Sequence, residues 1–105
     1  MTADRDYDSG LLCTQVSGLA IRHLAALVAL ASESSSSAAA RRLGRTQTTL
    51  NRHLTELEVA MGIVLVARAP GDARLTEGGR RMLPHAEAVL SRVETAREEL
   101  AANLN

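Results

Sequence analysis

Ser34 to Gly62 reads SSSSAAARRLGRTQTTLNRHLTELEVAMG, and this stretch decides the fold. The serines offer a helix N-cap, because a serine hydroxyl can accept one of the free amides of the AAARRL segment that follows. A short helix is expected from about Ser37 to Leu43, stopped at Gly44, which takes the left-handed conformation without strain. Thr46 is a second N-cap and opens a longer helix. In that helix Leu50, Leu54, Leu57 and Met61 recur at 4-3-4 spacing and define a buried face. Gln47, Thr48, Asn51, Arg52 and Thr55 lie elsewhere on the cylinder, and Gly62 ends it. A short helix, a glycine-containing turn and a longer helix opened by polar residues make a helix-turn-helix.

Upstream, Ile21, Leu24, Val28 and Ala31 follow 3-4-3 spacing, with Leu27 and Leu30 widening the stripe. Arg22, His23 and Ser32 fall on the opposite side, and this first helix should end near Glu33. Residues 1–18 are polar and acidic (Asp4, Asp6, Asp8) and read as a loose tail. Downstream the period changes. IVLVAR is strand-like, APGDA has turn chemistry and RLT is a second short strand, giving a hairpin from Leu65 to Thr76. Thr76 then caps a long helix reaching about Asn103, with Pro84 inside it expected to kink or break it.

The predicted fold is mostly α: a winged helix-turn-helix of three helices plus a small β-hairpin wing, followed by a long C-terminal linker helix. Its parts are a tail over 1–18, the winged domain over 19–76 with the helix-turn-helix proper at 36–55, and the linker helix over 77–105. On that last helix Met82, Ala86, Val89, Val93, Ala96 and Leu100 alternate at 4-3-4-3-4, the spacing of a coiled-coil contact. Leu83, Leu90 and Leu104 form a second stripe beside it. A helix of about 27 residues is roughly 40 Å long, more than so small a body can cover. The seam is therefore expected to pair with the same helix of a second copy.

At 105 residues the chain has room for one core. Tyr7 is the sole aromatic residue, so apolar volume comes from Leu, Val, Ile, Met and Ala, which suits closely packed helices and not a β-sandwich. The lone Cys13 cannot form an internal disulfide, the run LAALVALA is too short to span a bilayer, and the acidic start is unlike a secretory leader. A cytoplasmic, nucleoid-associated protein is expected. The formal net charge of zero conceals a basic centre: residues 21–81 carry nine Arg and five acids, with acidic flanks on both sides. All 12 basic residues are Arg, whose forked guanidinium suits phosphate.

These features point to duplex DNA. A helix entering a major groove needs short donors and acceptors on its leading face. Gln47 can pair bidentately with adenine, Arg52 with guanine or phosphate, and Thr48 and Thr49 can pack on thymine methyls. Helix N-termini add amide donors toward phosphate. Two-fold pairing through the last helix would present two such helices to a dyad-symmetric site. Catalysis finds no support. His23, His53 and His85 lack ligand spacing, and the His53/Glu56 pair has no further ligand, so no metal is expected. Cys13 has no neighbouring base, and Gly78 and Gly79 do not form a phosphate loop. Neither an enzyme nor a cofactor is expected.

The stretch from Leu19 to Thr76, continuing into the next helix, resembles the DNA-binding domain of LysR-type transcriptional regulators. The most specific pieces are AAARRL, TQTTLNRHLTELE, the MG turn, and RLTEGG followed by LP. The resemblance implies a winged helix-turn-helix whose following helix dimerises and leads to an effector-binding domain. It also puts Thr46, Gln47, Thr48, Asn51 and Arg52 at DNA-contacting positions, and Ser35 and Ser37 where the second helix meets phosphate. Asn105 falls where the effector-binding domain would begin, so a small-molecule effector is expected only where that domain follows. The sequence departs from the family pattern at Ser36, where a buried Phe is usual, at Arg45, where Val or Ile is usual, and at Val66, where Phe is common. Those three should trim or charge core positions, and a lost buried aromatic costs about 3 to 5 kcal/mol. Thr48 replaces a frequent Pro. Gly71 and Asp72 stand at wing positions that are often basic, so wing contact is expected from Arg68 or Arg74. Two alternatives remain open: a LysR-like interaction protein that heterodimerises with and antagonises a full-length regulator, and another winged-helix regulator of the ModE kind.

Overall fold

The computed structural model describes residues 18–33, 35–69 and 72–104, with the side chains at 72, 103 and 104 left aside. The expectations for the acidic tail, Cys13, Gly71 and the Asp72 and Leu104 side chains lie outside the described residues. The elements run α1 (Ile21–Glu33), α2 (Ser36–Arg42), α3 (Gln47–Met61), β1 (Val66–Ala69), β2 (Asp72–Leu75) and α4 (Glu77–Leu104). This is the mostly helical winged helix-turn-helix read from the sequence.

Local chemistry explains the boundaries. Ser35 caps α2, its hydroxyl accepting the Ala38 N–H at 3.2 Å, so the cap stands at the second serine of the run. Beyond α2, Gly44 N–H donates to the Arg41 carbonyl and Arg45 N–H to the Ala40 carbonyl, with Gly44 at φ 67°. That reciprocal pair is a Schellman stop, and it needs a residue tolerant of positive φ. Thr46 caps α3, accepting the Thr49 N–H at 3.1 Å, a cap worth about 1 kcal/mol. Gly62, at φ 73°, ends α3.

The core lies where α1 crosses the other helices. Leu24, Leu27, Leu30, Leu50, Leu54, Leu57 and Leu65 are buried there with Ala39, Ala40 and Ala86. Each fully buried leucine stabilises the domain by about 1.5 to 3 kcal/mol relative to leaving it exposed. Four sequence expectations are corrected. Met61 and Ile21 are nearly half exposed, because each sits at the end of its helix beyond the reach of the core. His23 is buried on the core side of α1, its ring nitrogens satisfied by two hydrogen bonds. Arg45 points to solvent and brings no charge into the core. Ser36 is half-buried, and Val66 is buried within the cluster.

The wing is a two-stranded antiparallel ribbon pairing Val66 with Leu75 and Ala69 with Asp72. Thr76 fastens it to α4. Its hydroxyl donates to the Val64 carbonyl at 2.7 Å and accepts the Gly79 N–H at 3.1 Å. Gly79 must lack a side chain, since a Cβ there would run into the Leu65 carbonyl oxygen. Helix α4 then continues through Pro84 without interruption, so the expected break does not occur. Pro84 has no N–H to offer the Arg80 carbonyl one turn back.

Candidate nucleic-acid interface

α2, the turn at Gly44 and α3 bring one end of α3 to the surface beside the wing. Its first turn presents Gln47 and Thr48 to solvent, and Arg52 follows on the exposed side one turn later. The opposite side, through Leu50, Leu54 and Leu57, is fixed in the core, so the orientation of the polar side is set by packing. The free amides and positive dipole end of α3 lie at the same place.

A cleft of about 250 Å³ opens between α2, α3 and the wing, lined by the three serines 35–37, Gln47, Asn51, Arg68, Ala69 and Ala73. It brings together five residues picked out by the sequence: Ser35, Ser37, Gln47, Asn51 and Arg68. Among the described residues, Asn51 Oδ1 is buried without a hydrogen-bond partner, an acceptor on the cleft wall. Thr46, Thr48, Thr49, Arg52 and Arg74 do not line it. Thr49 is half-buried and hydrogen-bonded to the Thr46 hydroxyl at 3.0 Å, which makes it part of the cap.

The two wing arginines are not equivalent. Register sets Arg68 opposite Ala73 and Arg74 opposite Ala67, so they belong to opposite faces of the ribbon. Arg68 faces the cleft and lies 3.8 Å from Glu58. Arg74 borders a second hollow with Leu30, Ala31, Leu75, Arg80 and Leu83.

Sequence reasoning missed Glu58. Its Oε2 accepts the N–H groups of Leu65 and Val66 at 2.9 and 3.0 Å, tying α3 to the base of the wing. The signal was available as an acidic residue at the end of an otherwise apolar helix face, just before a strand with free amides. His23 was missed too. It joins α1 to Glu56 on α3 at 2.8 Å.

Along α4 the predicted seam divides. Ala86 is fully buried in its own domain and Met82 packs partly against the core, whereas Val89, Val93, Ala96 and Leu100 are exposed. Among the described residues there is no group of three or more His, Cys, Asp or Glu placed to hold a metal ion, and no helix long and apolar enough to cross a membrane.

Residues 21–80 match the family described as bacterial regulatory helix-turn-helix protein, lysR family. The chain belongs to the LysR family. The small neutral protease regulatory protein of Streptomyces coelicolor is 42% identical over 84 residues, covering 80% of this chain and 26% of that protein. The HTH-type transcriptional regulator CfxR of Cupriavidus necator is 37% identical over 84 residues, again covering 80% of this chain and 26% of the relative. The chain thus spans about a quarter of the length of these LysR relatives. Among solved structures, the CbnR DNA-binding domain in a DNA complex superposes with a TM-score of 0.77 at 28% identity, over 83% of this chain and 100% of that one. The BenM DNA-binding domain with benA site 1 DNA gives 0.75 at 29% identity, over 83% and 98%. The family model and CfxR both describe regulators.

Proposed function

We propose that this chain binds duplex DNA in a sequence-specific manner and regulates transcription. In this reading α3 enters the major groove with Thr46, Gln47, Thr48, Asn51 and Arg52, while Ser35, Ser37 and Arg68 meet the flanking phosphates. Arg74, on the other face of the ribbon, reaches backbone farther along. The observation that carries the reading is the cleft, which gathers hydroxyls, amides and a guanidinium from three elements beside the exposed start of α3. The DNA complexes formed by the CbnR and BenM domains support it.

The chain acts as a homodimer through the distal part of α4, where Val89, Val93, Ala96 and Leu100 stand uncovered, and the dimer reads a dyad-symmetric site. It works in the cytoplasm at the nucleoid. The deciding test is fluorescence anisotropy of a labelled mixed-sequence duplex titrated at several salt concentrations. Binding is expected to weaken steeply with salt, and Arg52→Ala to weaken it at least about tenfold. Affinity unchanged by Arg52→Ala would remove α3 from the groove.

A further inference from the structure

His23 and His53 are buried, 1% and 3% exposed, where α1 crosses α3 behind the DNA-reading surface. The His23 Nδ1 accepts the Ala20 N–H at 2.9 Å, the part Glu or Gln plays at the third position of a capping box. Because Nδ1 is an acceptor, the ring proton sits on Nε2 and is donated to Glu56 Oε1 at 2.8 Å. His53 lies one turn before Glu56 on α3, and its ring meets that of His23 edge-on, centroids 5.6 Å apart at 74°. The charges that bear on His53 come from His23 and Arg22 on α1, Arg45 in the turn and Arg52 on α3, while His53 in turn bears on the Glu56 carboxylate.

We propose that His23, His53 and Glu56 are positioning residues forming a proton-sensitive latch that seats the recognition helix on α1. The proposal rests on α3 being the DNA-reading element. A proton on His53 would add a buried cation against the His23 ring and in the field of Arg22, Arg45 and Arg52. That charge loosens the seat of α3 without touching a base contact.

The sign follows from the two groups. Burial first, then the charges of His23, Arg45, Arg52 and Arg22, holds the His53 pKa below the ordinary 6.5. The folded ring therefore stays neutral while the unfolded ring takes a proton. Its contribution is complete above that value and declines as pH falls through it toward the lowered one. The hydrogen bond from His23 likewise draws Glu56 below the ordinary 4.5, so its contribution declines at still lower pH. Both act in the same direction, weakening the fold on the acid side.

The test measures melting temperature and duplex affinity from about pH 8 to about pH 5 for the wild type, His53→Gln and His23→Gln. Glutamine at position 23 can still accept the Ala20 N–H and donate to Glu56. The wild type should lose DNA affinity progressively toward the acid end of that range, and its melting temperature should fall in parallel. His53→Gln should flatten these slopes, and His23→Gln should hold the melting temperature at about pH 8 near that of the wild type because both hydrogen bonds persist. A wild-type slope retained in His53→Gln would overturn the latch. If that variant does not fold, NMR titration of the wild-type His53 ring decides, since titration at or above the ordinary histidine value contradicts the proposal. A melting slope as expected with no DNA binding at any pH would leave the latch standing and reject the DNA-binding role.

Discussion

From Glu77 to Leu90 the long helix lies against its own domain, with Gly79 and Ala86 buried, Met82 and Leu90 packed at the edge of the core and Leu83 half-buried. From Ser91 onward the same helix stands almost entirely in solvent, yet its apolar spacing continues through Val93, Ala96 and Leu100. One periodic pattern therefore serves two purposes. Helical spacing tells which residues share a face, whereas what covers that face depends on how far the neighbouring elements reach.

Three substitutions probe this division. The largest effect is expected from Ala86→Asp, which forces an unpaired carboxylate into a site with no exposure. It should destabilise the domain by about 3 kcal/mol or more, seen as a large drop in melting temperature by circular dichroism. Val93→Asp, only seven residues later, should leave the domain folded. It should instead weaken self-association at least about tenfold in sedimentation equilibrium, because the charge must be desolvated against a partner helix. If Val93→Asp melts the domain as Ala86→Asp does, the two halves are not distinct. The smallest effect is expected from Arg97→Ala, which removes an exposed pair with Glu94 on the same turn. Its melting temperature should be indistinguishable from that of the wild type, as is usual for solvent-screened pairs.

The same distinction explains what could be read from the sequence. Thr46, Gly44, Gly62 and Thr76 announced their elements correctly, because caps and stops are made by neighbours a few residues apart. The hairpin was legible for the same reason. Of the candidate interface, Ser35, Ser37, Gln47, Asn51 and Arg68 come together in one cleft, since a helix-turn-helix fixes its geometry locally. Longer-range partners were not legible. His23 looked like a surface residue because a polar side chain belongs outside unless a distant group satisfies it, and Glu56 lies 33 positions away. Glu58 looked like a solvated charge because nothing in its own helix revealed the free strand amides it accepts. Arg45 stands at a family position usually filled by Val or Ile, which implies burial, whereas the turn after Gly44 carries it outward.

Pro84 gives the last helix a mechanical property. The Arg80 carbonyl has no helical donor to brace it there, so α4 is locally less stiff within its packed half, while Ala86 and Leu90 beyond the proline hold it to the domain. The arm that stands free past Leu90 is about 20 Å long: a deflection of about 10° at its root sweeps its tip by about 4 Å. In the proposed two-fold pair joined by those arms, such a deflection would change the span between the two helix-turn-helix heads while each head kept its own shape. Operator spacing would then be accommodated by compliance in the shaft, with no remodelling of the residues that touch bases.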